Sequence, residues 1–365
     1  MRFARRAVLA LPAALLLRPC GAGAAPDEAI YRAINRAAVE QVLLPGYRRF
    51  AEATANLAAQ LDALGRSPAE TAPLQAARQG FIEAVLAWEG IEPVRFGPAD
   101  LFSRYPRIQL WPDPQDSIGR DLALAIAVRD ASVLEIRANA LGKVSVQGLP
   151  ALERLLFGDA ARARLAAGDA EAGYRAALLR AIGGNLATLA RDMLAGWTTG
   201  EHPYASTLTE PRAPYASPRD ATLELYKLIQ ATLGRVIDRK LAPALGNSAA
   251  NAQPKLLEWW RSGLSGQAIQ ANLAVARDIA AAGFLPALEK LGEAEPGDLL
   301  RRAFDQVTAT AKAMPLPLEE AIADPMRRPP LERLRHETAA LKALVGQRLP
   351  PVLDLPSDVS MPGGG

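Results

Sequence analysis

The sequence predicts an all-α fold of two packed helical bundles with long ordered loops, and three observations carry that expectation. Apolar residues recur at three- and four-residue spacing over most of the chain. The composition is 50% hydrophobic but only 5% aromatic, a balance that suits helix packing better than β-branched and aromatic strands. No stretch alternates apolar and polar residues for long enough to read as a strand.

Each element follows in order. From Asp27 to Leu64 the set Ile30, Ile34, Ala37, Ala38 and Val42 keeps helical period, and Pro45-Gly46 is expected to kink or break that helix before Tyr47. A second helix begins after Pro73, with Leu74, Ala77, Phe81, Val85 and Trp88 on one face. Residues 92–117 then hold five prolines, three aromatics besides Trp111 and no sustained period. This is a long ordered loop, and loops of that length in a compact domain more often carry function than mere linkage. Helices resume at about 117–127, 130–140, 148–158 and 169–197. The Pro-, Ser- and Thr-rich stretch 198–219 is the expected connector between an N-terminal bundle (27–197) and a C-terminal bundle (220–350). The second bundle should contain helices near 220–244, 254–291, 297–313 and 327–349, with Gly263 and Ser265 interrupting the second. The tail 351–365 should be flexible.

The N-terminus reads as an export signal. MRFARR is basic, AVLALPAALLL is a short apolar run, and Ala22 and Ala24 fit an A-x-A cleavage site, giving a signal peptide over 1–24. The apolar run is too short for a membrane span, which needs roughly 20 residues, and no transmembrane span is expected elsewhere. Lipid anchoring at Cys20, the only cysteine, is disfavoured because Arg18 and Pro19 stand where small residues are wanted. Arg5-Arg6 leaves a twin-arginine route open beside the general one. The expected location is therefore the periplasm or cell envelope. Residues 1–24 hold four arginines and no acid, so their removal takes the balance from 42 basic against 39 acidic to 38 against 39, a net charge of −1. A nucleic-acid partner loses its main support.

Familiar catalytic constellations fail one by one. His336-Glu337 begins an H-E-x-x-H pattern, but position 340 is Ala. His202, the only other histidine, lies in the connector. Gly142-Lys143 lacks the glycine of a P-loop, where Arg137 stands, and Gln267 replaces the last glycine of a nucleophile elbow after Ser265-Gly266. What remains is a group of acids beside unusual loops. Glu89 and Glu92 would share a face on a continuing helix, with Arg95 as a counter-ion, or would simply be solvated. Asp113 and Asp116 lie in WPDPQD, where Asp116 or Ser117 could instead cap a helix. Glu153 follows Gly-Leu-Pro in VSVQGLPALERLLFGD. Pro150 suits a first helical turn, which would place Glu153 within that turn, facing the positive end of the dipole, as either a helix-start acid or a site residue.

The stretch AVLAWEGIEPVRFGPADLFSRYPRIQLWPDPQD, followed by SVQGLPALERLLFG, resembles the imelysin family. RSGLSGQAIQANLAVARDI (261–279) resembles the start of that family's second half, and a weaker likeness continues to about 350. The resemblance implies an exported all-helical protein of two bundles related by duplication, with a groove between them and an association with bacterial iron uptake. The family pattern is Gly-x-His-x-x-Glu. Gly148 and Glu153 match it, but Pro150 stands where the histidine belongs. The metallopeptidase activity proposed for the family uses that histidine as a ligand, and a lone Glu cannot hold a catalytic metal. The expectation is a non-peptidase branch: an exported binding or accessory protein linked to iron uptake, partnered by a small ligand or metal ion in the inter-bundle cleft and by iron-uptake envelope proteins. The expected ligand-binding residues are Glu153, Gly148, Gln147, Arg95, Phe96, Gly97, Trp111, Asp113 and Glu89. No cofactor is certain, and iron bound through carboxylates is one option, since hard cations accept oxygen ligands. Two alternatives stay open, a peptidase recruiting Asp113 or Glu89 as substitute ligand, and a binder of acidic envelope polysaccharide through Arg95, Arg104, Arg107 and Trp111.

Overall fold

A computed structural model describes residues 26–135, 143–210 and 212–356. The expected signal segment with Cys20, residues 136–140 of the expected 130–140 helix and the end of the tail lie outside those residues, and Ala131–Glu135 forms a short 3-10 turn. The described residues are helical without strands. In chain order the helices are α1 (Glu28–Ala38), α2 (Leu44–Arg66), α3 (Thr71–Glu89), α4 (Arg104–Ile108), α5 (Ser117–Val128), α6 (Gly148–Phe157), α7 (Ala161–Ala166) and α8 (Ala170–Thr198). The second half adds α9 (Tyr204–Thr209), α10 (Pro218–Arg235), α11 (Ala242–Leu245), α12 (Ser265–Ile279), α13 (Leu285–Lys290), α14 (Ala294–Lys312), α15 (Leu318–Ala321) and α16 (Pro329–Val352).

Pro45 does not break the first helix. A π-turn at Val39–Leu43 runs directly into α2, and the same device recurs at Val236–Leu241 before Pro243 and at Ala280–Phe284 before Pro286. Proline lacks an N–H, and its ring crowds the carbonyl one turn back. The wider turn upstream gives the ring room, so the helical run continues through the proline. Residues 254–264, read from sequence as helix, instead form short turns, and the helix begins at Ser265. There Trp259 and Gly263 both take positive φ, at 58° and 70°, which no helix accommodates.

Helices α2, α3, α6 and α8 pack as one layer of the core, and α10, α12, α14 and α16 as another. Leu57, Leu61, Phe81 and Leu186 are fully buried in the first, and Leu233, Phe284 and Leu334 in the second. The two share one continuous apolar core, because α3 packs on α12 and α1 lies against α10. Helix α1 precedes the connector in sequence, yet polar bonds stitch it to the second half. Asn35 Nδ2 donates to the Pro218 carbonyl at 2.8 Å, Thr222 Oγ1 to Asn35 Oδ1 at 2.7 Å, and Tyr31 OH to the Leu353 carbonyl at 2.9 Å. The helical run Ser265–Lys290 is long and apolar enough to cross a bilayer, but 61% of its apolar window is buried inside this fold.

Candidate functional site at the seam between the halves

The acids singled out in the sequence converge where α3 meets the second half. Helix α3 stops at Glu89, so Glu89 and Glu92 do not share a helix face, and neither is solvated. Both are fully buried. Glu89 Oε1 accepts from Trp259 Nε1 at 2.7 Å, and Oε2 from Lys240 Nζ at 2.6 Å and Asn272 Nδ2 at 3.0 Å. Lys240 Nζ also meets Glu258 Oε2 at 2.5 Å, and Gln109 Nε2 donates to Glu258 Oε1 at 2.5 Å. Trp88 Nε1 holds the other end of Gln109. Glu92 Oε1 takes Arg95 at 2.9 Å, Arg235 at 3.1 Å and the Tyr105 hydroxyl. Arg95 also stacks over the Tyr105 ring.

Three buried carboxylates thus face Lys240, Arg235 and Arg95. Burial would raise the Glu92 carboxyl, but Arg235, Lys240 and Arg95 outweigh it and hold it near about 2. Burial and the negative charge of Glu89 outweigh Lys240 and push the Glu258 carboxyl up to about 8. Lys240 stays charged, because Glu258, Glu89 and Glu92 more than offset its burial. Such a network is satisfied only as a unit, since removing one member leaves a buried charge without its partner.

Beside this seam lies the VQGLPALE segment. Gly148 has φ +71°, and a Cβ there would sit 2.3 Å from the Ile108 carbonyl oxygen and 2.5 Å from that of Arg107. Only glycine fits so close an approach. Gln147 is buried, with its Oε1 accepting from Arg107 Nε at 3.2 Å and Asn185 Nδ2 at 3.1 Å. Helix α6 opens at Gly148 rather than at Pro150, so Glu153 lies past the first turn, and the expected dipole contact is not its role. Glu153 is 4% exposed. Its Oε1 accepts from the Ser262 backbone N–H at 3.0 Å and hydroxyl at 2.7 Å, across the seam. Burial raises its carboxyl more than Ser262 lowers it.

The remaining residues divide. Asp113 caps α5, accepting from the Ser117 N–H and Oγ at 2.9 and 2.7 Å and from the Ile118 N–H at 2.9 Å. It performs the capping that sequence reading gave to Asp116 or Ser117, while Asp116 pairs with Arg154. Phe96 packs near Trp197 and Tyr204, and Gly97, at φ +64°, leaves room for the Tyr204 ring. Trp111 is half-buried in the loop before Asp113. Arg107 is buried on Gln147 and Asn185, and Arg104 donates to the Pro98 carbonyl at 2.8 Å. The arginines of the polysaccharide alternative are therefore committed within the fold. Sequence reading missed Lys240, Glu258, Trp259, Ser262 and Asn272. Their one signal in sequence was an acid beside paired tryptophans in KLLEWW.

The donor chemistry does not fit a metal ion. Glu89 through both oxygens, and Glu92 and Glu153 through Oε1, already face N–H and O–H donors of this chain, and Pro150 offers no ligand atom. No group of three metal-ligating side chains comes together among the described residues. Asp113 and Glu89, the substitute ligands of the peptidase alternative, already accept from donors of this chain.

A family model described as imelysin matches residues 43–345. A crystal structure of an imelysin-like protein from Psychrobacter arcticum 273-4 superposes with a TM-score of 0.73 at 19% identity, covering 92% of this chain and 98% of that one. One from Parabacteroides distasonis ATCC 8503, named as an iron-regulated protein A precursor, superposes with a TM-score of 0.74 at 17% identity, covering 90% and 97%. No curated protein matches the chain.

Proposed function

The chain belongs to the imelysin family, and from that premise we propose that it is an exported binding or accessory protein of the bacterial cell envelope that serves iron uptake without peptidase chemistry. One observation carries the non-peptidase reading: the motif acid Glu153 is spent on Ser262, and Pro150 replaces its histidine partner. A hydrolytic zinc site needs three protein ligands and an open position for water. Here the acids act as struts between the two halves. The iron link is supported by the family match and by the printed name of the Parabacteroides protein. Export is supported by the basic and apolar N-terminal segment.

The test pairs two measurements. Purified mature protein is assayed for chelator-sensitive peptide hydrolysis, and the native strain is grown with and without an iron chelator. The expected results are no hydrolysis above the buffer rate and expression that rises on iron limitation. Zinc-dependent cleavage abolished by Glu153→Gln would overturn the non-peptidase reading, and expression indifferent to iron would overturn the iron link.

A further inference from the structure

We propose that Lys255, Trp260 and Arg261 form a receptor for a small polycarboxylate on the outer side of the loop whose inner side closes the seam. The inference rests on reading the protein as a binding protein and names the class of ligand it takes.

The loop turns two ways. Glu258 and Trp259 point inward to Lys240 and Glu89, while Lys255 is exposed and Trp260 and Arg261 are half-buried. The reversal occurs at Trp259, whose φ of 58° is rare for a bulky side chain and persists only where surrounding bonds over-determine it. Glu89 supplies one such bond, and Glu153, through Ser262, fixes the loop three residues on.

On this rigid base the outward groups are all donors. The Arg261 guanidinium lies 4.1 Å from the centre of the Trp260 ring, and the Lys255 ammonium 5.6 Å from the same ring. Neither cation, nor the Trp260 indole N–H, has a hydrogen-bond acceptor or ion pair among the described residues. The acids nearby are engaged elsewhere, Asp116 by Arg154 and Glu153 by Ser262, and Asp159 attracts Arg261 without pairing with it. Burial and the like charge of Arg154 lower the proton affinity of Arg261, against the opposing pull of Glu153, Asp116 and Asp159, and an incoming anion would offset the repulsion from Arg154. A guanidinium fork matches the two oxygens of a carboxylate. A second cation held on the same ring calls for a second negative charge. Because the loop is already ordered, binding avoids much of the usual entropic cost.

The experiment is calorimetric titration of mature protein with citrate, with inorganic phosphate and ferric citrate as further arms. Saturable citrate binding is expected, weakened at least tenfold in Arg261→Gln and several-fold in Lys255→Ala, with the melting temperature of both variants unchanged. Absence of saturable citrate binding, equal affinity in well-folded Arg261→Gln, or phosphate binding as tight as citrate would each overturn the inference. Ferric citrate separates this proposal from the iron reading. Ferric citrate binding that survives both substitutions leaves the iron reading standing and removes the receptor. Citrate binding lost in both variants, with no binding of the ferric form, upholds the receptor and counts against the iron reading.

Discussion

Lys240→Met removes the cation at the centre of the seam while keeping most of the side chain's volume. Lys240 is 2% exposed and lies 2.6 Å from Glu89 and 2.5 Å from Glu258. Breaking a buried pair by removing one partner costs about 3–5 kcal/mol, because the remaining charge stays buried. Two features set the expectation at the low end. Glu89 keeps its bonds from Trp259 and Asn272, and Glu258, whose carboxyl is already pushed up to about 8, takes up a proton once the lysine that opposes that rise is gone. A loss of about 3 kcal/mol is expected, read as a fall in the urea midpoint at pH 7. Adding Glu89→Gln removes the stranded charge while leaving an acceptor for Trp259, so the double variant should regain at least half of that loss. This non-additivity is the signature of a coupled network. Lys240→Met within about 0.5 kcal/mol of wild type, the range of ordinary surface substitutions, or losses that simply add in the double variant, would show that Lys240 does not hold the seam together.

Other consequences follow from the same geometry. Glu258 loses its proton near its ordinary 4.5 when unfolded but keeps it to about 8 when folded. Between those values the folded state holds more protons, so its stability should fall as pH rises, by up to about 1.4 kcal/mol per pH unit. Glu92, held near about 2, works in the other direction, stabilising above 4.5 and losing that contribution as pH falls towards 2. Urea midpoints measured from pH 3 to 9 should therefore peak near 4.5–5, and Glu258→Gln should flatten the decline above the peak. Gly148→Ala forces a Cβ against two carbonyl oxygens at a positive φ and should cost more than about 3 kcal/mol or prevent folding, checked by circular dichroism and yield. Glu153→Gln keeps an acceptor for Ser262 and should melt within about 1 kcal/mol of wild type, whereas Glu153→Leu strands the Ser262 backbone N–H, its hydroxyl keeping the Trp259 carbonyl, and should lose about 1–3 kcal/mol in the same assay.

The helical architecture was legible because periodicity is local: the apolar faces of α2, α3 and α8 can be read residue by residue. Where local signals conflicted, the reading went wrong. Pro45 was read as a kink or a break, and a π-turn absorbs it without ending the helical run. Residues 254–264 carried enough apolar character to pass for helix, yet long-range bonds to Glu258 and Trp259 hold them as a loop. The site was harder. Spacing could pair Glu89 with Glu92, three residues away, but the partners that define Glu89 are Lys240, Trp259 and Asn272, which lie 151, 170 and 183 residues along the chain. Glu153 was visible as an acid that needed a reason. Its reason, Ser262, is 109 residues distant. Asp113 shows the opposite case, a local capping role within five residues that was assigned to the wrong neighbour.

If Glu153 braces the two halves rather than holding a metal, thermal melts of mature protein after exhaustive chelation, alone and with one equivalent of zinc or excess zinc, will show it. A ligand that binds only the folded state raises stability by RT ln(1 + [L]/Kd), about 2.7 kcal/mol at a hundredfold excess over Kd. The expected result is that chelation and zinc both leave the melting temperature unchanged. A melt that falls on chelation and is restored by stoichiometric zinc, with the response lost in Glu153→Gln, would contradict it.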